Sequence, residues 1–477
     1  MENEEKVELI KDLLEKNIFI GPGDLEKLNK EENLNKIHSL LEKNNLTEEA
    51  IKSIINAPEE NSVKIVFSYK DTVKKREAQD FTSYFNYRYD ALRTILMNRQ
   101  ELQSATSIKR IFPKRERQEI SIIGMVLDKR FTKNKNIILT IEDTTASLNV
   151  LVNKNKQELY VLAKDIVPDE IIGIVGTLGE NIIFANNILL PDIPNKELKK
   201  SPNEGYAVFV GDFHFGSKAF LKEPFERFLK WIKGEVGNEE QRSVASKTKY
   251  LFLVGDLVDG VGIYTNHSDD LEVQDIKQQY ILLAEALKEV PTKIKIIVAP
   301  GNHDAMRIAE PQPSIYRDFA EAIYNMPNAV CVSNPAIINI DATEKFPGFD
   351  VLVYHGYSFN YYAFEVESIR QAGAQRRADL IMKFLLQRRH LAPTHASTQY
   401  VPDPTKDCLI IGQVPDFFVS GHIHKSAVSY YNNILTISCS CWQSRTAYQE
   451  KFGHEPDPCK VPILNLKTGK VSMLDFS

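Results

Sequence analysis

Hydrophobic positions divide this chain into three stretches of different period. In residues 1 to about 57, Leu34, Ile37, Leu40 and Leu41 fall on one helical face, and Thr47 followed by Glu48 and Glu49 marks a helix start. Pro58 to Ser62 breaks the pattern, and a polar connector leads to a second helix from about Asp80, where Phe81, Phe85, Leu92 and Leu96 keep helical spacing. That helix is expected to pack on a neighbouring domain. From about residue 118 the period becomes that of strands: Ile120–Leu127, Asn136–Ile141, Leu148–Val152, Ile171–Val175 and Ile182–Ile188 are rich in β-branched residues, with a helix-compatible segment, Asn155–Lys164, after the third. Beyond the proline-containing links at 191–194 and 199–202, strands alternate with helices to residue 477, and the clearest helix runs through Val273, Ile276, Tyr280, Leu283, Leu287 and Val290.

Five strands with one helix after the third is the order of an OB-fold barrel, which serves equally well as an oligonucleotide surface or a protein dock. Alternating strands and helices predict an α/β domain with helices covering a sheet. The expected fold is therefore α/β multidomain: a small helical domain (1–57), a linker and packing helix (58–112), an OB-fold β-barrel (113–200) and a C-terminal α/β domain (201–477).

A length of 477 residues exceeds what one core supports and agrees with several domains. Met1-Glu-Asn-Glu-Glu has no basic flank or apolar run, and no stretch reaches the length of a membrane span, so a cytoplasmic location is expected. Five cysteines, an odd number, argue against a disulfide framework; Cys439 and Cys441 are spaced too closely for a usual zinc pair and are expected to be buried thiols. A net charge of −5 gives no global attraction to nucleic acid. Local basic stripes stand at Lys109-Arg110, Lys114 to Arg117, Arg376-Arg377 and Arg388-Arg389-His390. None is assigned as a nucleic-acid-binding site.

The chemistry lies in the last stretch, where five apolar runs each end in a polar cluster. They are Ala207–Val210 before Asp212 and His214, Leu251–Val254 before Asp256 and Asp259, and Ile296–Ala299 before Asn302, His303 and Asp304. Val351–Val353 precedes His355, and Phe417–Val419 precedes His422 and His424. A strand that stops and presents Asp, Asn or His sets that side chain at the carboxyl edge of a sheet, where open α/β folds bind ligands. Oxygen and imidazole donors without thiolate suit Mn²⁺, Fe²⁺ or Zn²⁺.

The series Asp-X-His, Gly-Asp-X-X-Asp, Gly-Asn-His-Asp, His-Gly and Gly-His-X-His resembles the calcineurin-like metallophosphoesterase superfamily over about residues 206–425. That resemblance implies an α/β sandwich holding two divalent ions, Mn²⁺ first, with Zn²⁺, Fe²⁺ or Mg²⁺ as alternatives. Asp212, His214 and His424 would hold one ion and Asn302, His355 and His422 the other, with Asp256 bridging. His303 would attend the leaving oxygen as catalytic residue, and Asp304 would orient it. Asp259 is left open between the site and a structural loop role.

Further motifs, Asp259–Tyr264, Arg307–Pro313, Pro393–His395, Val414–Asp416, Cys441–Gln443 and the helix with Tyr84–Tyr89, are similar to those of the archaeal family D DNA polymerase small subunits. Thr265-Asn-His-Ser268 departs from that pattern. The resemblance implies a 3′–5′ proofreading exonuclease on single-stranded or mismatched DNA ends, a large catalytic subunit as partner, and through that holoenzyme the sliding clamp. A catalytically silent assembly subunit and a stand-alone phosphodiesterase are the alternatives. Tyr357, Phe359, Tyr361 and Tyr362 could offer a stacking surface for a frayed strand, or could pack inside the domain.

Overall fold

The structure, a computed structural model, describes Lys11 and residues 63–71, 75–114, 116–451 and 453–477. The helical domain expected at 1–57 falls outside the described residues, Lys11 apart. Strand β1 (Val63–Ser68) and helix α1 (Ala78–Leu96) come first. A closed barrel follows, built from β2 (Glu119–Phe131), β3 (Ile137–Glu142), β4 (Ser147–Val152), β5 (Ile171–Gly179) and β6 (Ile182–Leu189), with α2 (Gln157–Lys164) after the third barrel strand. Along β3 every second residue is buried, so Ile137, Leu139 and Ile141 meet Val150, Val152, Ile172 and Ile174 in the barrel interior. The β-branched pattern thus closes as the OB-fold strand order requires.

The following half begins with β7 (Tyr206–Val210), α3 (Lys222–Ile232), β8 (Thr248–Val254), α4 (Ile276–Leu287) and β9 (Lys295–Ala299). It continues with β10 (Ala329–Cys331), β11 (Ala336–Ile340), β12 (Phe349–Val353), α5 (Phe359–Glu365), α6 (Ala378–Arg388) and β13 (Phe417–Ser420). The last strands are β14 (Ala427–Tyr431), β15 (Ile434–Ser438), β16 (Lys460–Asn465) and β17 (Val471–Asp475). They form two six-stranded sheets, ordered β10-β9-β8-β7-β16-β17 and β1-β11-β12-β13-β15-β14. Phe225, Phe228 and Trp231 of α3 and Tyr280, Leu283 and Leu287 of α4 pack on Val208, Val210, Leu251 and Leu253 of the first sheet. Phe359 and Tyr362 of α5 and Ile381 and Leu385 of α6 cover Leu352 and Phe418 of the second. Phe209 and Phe252, on the alternate face of their strands, stack at 5.1 Å. Strands β7, β8 and β9 are mutually parallel, as are β12, β13 and β15, so the carboxyl ends within each set open toward one edge.

Two features differ from the sequence expectation. The polar connector contains β1, which pairs antiparallel with β11 from Val63↔Ile340 to Ser68↔Ala336. Helix α1 spans a junction rather than resting on one neighbour. Near its start Tyr84 and Arg88 reach Asp407 at 2.7 Å each, while further along Tyr89 donates to the Ile123 carbonyl of the barrel and Leu92 and Leu96 pack with Ile123 and Ile171. Among the described residues no helix is long and apolar enough to cross a membrane.

Candidate active site

Five of the seven expected ligand residues, Asp212, His214, Asp256, His422 and His424, have positive φ, between 47° and 73°. A left-handed residue with a Cβ costs roughly 1–2 kcal/mol, so the surrounding loops must over-determine these backbones. They do so by joining one another: Asp212 N–H donates to the Gly255 carbonyl at 2.9 Å, His214 N–H to Asp256 at 3.1 Å and Gly421 N–H to His355 at 2.8 Å. The Asp212 carboxylate also accepts the His422 backbone N–H at 3.0 Å. Glycine is required where these loops meet, because a Cβ on Gly301 would collide with the Asp256 carboxylate and one on Gly421 with that of Asp212.

The side chains gather in two adjoining groups. Asp212, His214 and His424 form one: Nε2 of His214 lies 3.1 Å from Nε2 of His424, which is 3.4 Å from Asp212 Oδ1. Asp256, His355 and His422 form the other, with His355 Nε2 3.3 Å from Asp256 Oδ2 and 3.1 Å from Asn302 Oδ1. Asp256 reaches both groups, since the same Oδ2 lies 4.0 Å from His214 Nε2. Burial opposes ionisation of Asp256, but the imidazoles of His355 and His303 hold its carboxyl well below the usual range. Two imidazole nitrogens facing each other beside buried carboxylates suit a cation, and the donor set is one that divalent metals take. All seven expected ligand residues are brought together, and they fit two ions.

Each of the four imidazole rings in these two groups is held from behind. His355 Nδ1 donates to the Val254 carbonyl at 3.0 Å, and His214 Nδ1 donates to Asp259 Oδ1 at 2.8 Å. Gln449 lies 3.0 Å from Nδ1 of His424, and Asn360 lies 3.1 Å from Nε2 of His422. Such partners fix ring orientation and ligand basicity. Sequence reading missed Gln449 and Asn360, which belong to none of the motifs although Asn360 follows His355-Gly356 closely; a polar residue at the start of α5 within a run of aromatics was the sole signal for Asn360.

His303 sits at the rim, half-buried, with its ring 4.7 Å from that of His214. The group that orients it is Asp259, not Asp304. His303 Nδ1 donates to the Asp259 carbonyl at 2.8 Å and lies 3.8 Å from its carboxylate. Burial works against the Asp259 charge, yet hydrogen bonds from His214 and His267 hold its carboxyl far below normal. The Asp304 carboxylate turns into the core, where it accepts Gly301 N–H at 2.8 Å, Leu257 N–H at 3.3 Å and the Tyr280 hydroxyl at 2.7 Å. Burial first, and the neighbouring Asp256 charge second, push Asp304 up to about 7. Its role is to hold the loop that carries Asn302 and His303.

The two groups open into a cleft of about 480 Å³. Tyr357 and Tyr361 line it, while Phe359 and Tyr362 are buried in the core, so half of the expected stacking surface faces the cleft. Arg388, Arg389 and His390 are buried, and Arg388 pairs with Glu170 at 3.2 Å, so that basic stripe is not a nucleic-acid face. Cys439 and Cys441 are buried free thiols.

Comparison with known proteins agrees with this geometry. The calcineurin-like phosphoesterase family matches residues 207–426, and the OB-fold nucleic acid binding domain family matches residues 120–190. A DNA polymerase II small subunit of Methanothermobacter thermautotrophicus is 37% identical over 401 residues, 84% of this chain and 80% of that protein. The corresponding protein of Thermoplasma acidophilum is 33% identical over 469 residues, 96% of this chain and 91% of that one. For that of Pyrococcus furiosus the identity is 37% over 402 residues, 83% of this chain but 64% of the longer relative.

Proposed function

This chain belongs to the family of archaeal DNA polymerase II small subunits, and from that membership we propose that its phosphoesterase half is a metal-dependent 3′–5′ exonuclease. It would trim single-stranded or mismatched 3′ ends in the cytoplasm while scaffolding a separate large catalytic subunit. The carrying observation is the meeting of seven donor side chains from five strand ends in two adjoining groups beside an open cleft, with His303 at its rim.

Asp212, His214 and His424 would hold one divalent cation and Asn302, His355 and His422 a second, with Asp256 between the two groups. Mn²⁺ is the first choice by family resemblance, and the oxygen and imidazole donors themselves suit Zn²⁺ or Fe²⁺ as well. When bound, such ions neutralise the scissile phosphate and lower the pKa of the attacking water. The protein's own share is placement and proton transfer. The Asp259 carbonyl can only accept, so His303 Nδ1 carries a proton and Nε2 is the atom left to exchange one with substrate. Burial lowers the His303 pKa, which makes its imidazolium a stronger acid toward the leaving oxygen. Water oxygen bonds to phosphorus and gives a proton to solvent, the bond from phosphorus to the 3′-oxygen breaks, and that oxygen takes the proton from His303, which regains one from solvent.

The test is a 5′-labelled primer with a 3′ mismatch, incubated with Mn²⁺ and either the intact chain or His303→Asn. The expected result is a ladder shortening from the 3′ end with the intact chain alone. No shortening, with or without the large subunit, would overturn the reading and leave a silent assembly subunit. Hydrolysis of a small chromogenic diester without attack on DNA would indicate a stand-alone phosphodiesterase.

A further inference from the structure

The wall of the cleft beside His303 is built by the loop from Gly260 to Asn266, which the proposed chemistry does not use. Tyr264 and Ile263 of this loop line the cleft together with Ile308. Ile308 is 42% exposed and adds apolar surface to this wall. The loop is tied to the reacting centre. His267 Nδ1 accepts the Ile263 backbone N–H at 3.3 Å, so its proton is on Nε2, which lies 3.3 Å from Asp259 Oδ2. The Tyr264 ring lies 4.4 Å from that of His267, and its hydroxyl donates to Asp270 at 2.7 Å. Tyr264 is thus a half-exposed aromatic ring held from behind at two points, in the same cleft as His303.

Among the described residues lining the cleft none is Lys or Arg. Such a wall has no cation for an additional phosphate and favours an uncharged, flat group. Hydrolysis from a 3′ end leaves the phosphate on the terminal nucleotide, so the leaving oxygen beside His303 belongs to the penultimate nucleoside. We propose that Tyr264, flanked by Ile263 and Ile308, is the stacking platform for the base of that penultimate nucleoside. This rests on the exonuclease reading above. The departure at Thr265–Ser268 then has a purpose, because His267 fixes the platform.

The experiment is a two-by-two comparison of kcat/KM with Mn²⁺, using the intact chain and Tyr264→Ala on single-stranded oligonucleotides with a normal or an abasic penultimate position. Base–aromatic stacking predicts that either change alone lowers kcat/KM about tenfold. Both together should lower it by no more than that, and Tyr264→Phe, which keeps the ring and loses only its hydrogen bond to Asp270, should fall less than Tyr264→Ala. Independent, multiplying losses, or an intact chain indifferent to the abasic position, would overturn the platform while leaving the nuclease standing. An intact chain that cuts no oligonucleotide, with or without the large subunit, would overturn the nuclease reading, and the platform with it.

Discussion

Asp259 Oδ1 accepts a hydrogen bond from Nδ1 of His214 at 2.8 Å, which leaves Nε2 of that ring as a lone pair aimed at Asp212 and His424. A carboxylate can only accept here, so it fixes the tautomer that a metal ligand needs. An amide can turn its NH₂ toward the ring and transfer the proton to the ligating nitrogen. Asp259→Asn should therefore weaken binding of the ion at His214 by about 10–100-fold with little change in fold. Competition with a chelating dye measures this, and undiminished affinity would remove the positioning role.

His303 is the proposed proton donor and stands outside the seven expected ligands, so its loss should separate chemistry from metal binding. His303→Asn should lower kcat on a single-stranded oligonucleotide by about 10²–10⁴-fold. Metal content, read by mass spectrometry of the purified protein, should match that of the unaltered chain. A parallel fall in metal content would mean that His303 acts as a ligand, a role its proximity to His214 and Asp256 makes worth testing.

Metal binding should also register as stability. Asp212 and Asp256 are almost fully buried, and cations held by the folded site alone favour that state. At Mn²⁺ a hundredfold above its Kd the gain is about 2.7 kcal/mol, enough to raise Tm by several degrees over chelator-treated protein. Asp256→Asn should lose most of that dependence. Equal melting curves with and without Mn²⁺ would mean that the folded chain does not bind it.

The convergence of the seven expected ligand residues was legible because each stands in the turn that follows an apolar run, and a strand end leaves few directions for such a side chain. The barrel was legible because β-branched runs separated by turns have few ways to close. What connects the parts was not. Strand β1 escaped notice because Ile65 and Val66 are 44% and 41% exposed at a sheet edge, so Val63-Lys-Ile-Val-Phe-Ser shows no alternation. Asp304 stands beside His303 in sequence, which suggested a partnership, but neighbouring loop residues point in different directions and its carboxylate turns toward Tyr280. The basic run at 388–390 misled because charge in a sequence does not reveal a buried partner such as Glu170 or Asp407.

That last partner leads to a prediction about pH. Asp407 accepts Tyr84, Arg88 and His390 within 2.8 Å in a fully buried network joining α1 to the phosphoesterase half. His390 Nδ1 accepts the Ala392 N–H at 3.0 Å, so the neutral ring donates from Nε2 to Asp407. Burial first, and the Arg88 charge second, push His390 down to about 4. Below about pH 6.5 an unfolded chain takes up a proton on this residue that the folded chain refuses. Folding stability therefore falls as pH drops from about 6.5 toward 4, by about 3 kcal/mol in full and about 2 kcal/mol by pH 5. Asp407 does not obscure this window, because its carboxyl is held low and its contribution is lost only below about pH 4. His390→Gln keeps an N–H for Asp407 and removes the titration. Urea unfolding at pH 7 and pH 5 should show a loss about 2 kcal/mol smaller in the variant than in the unaltered chain. An identical pH dependence in the two would mean that His390 is protonated in the folded state and that the network tolerates its charge.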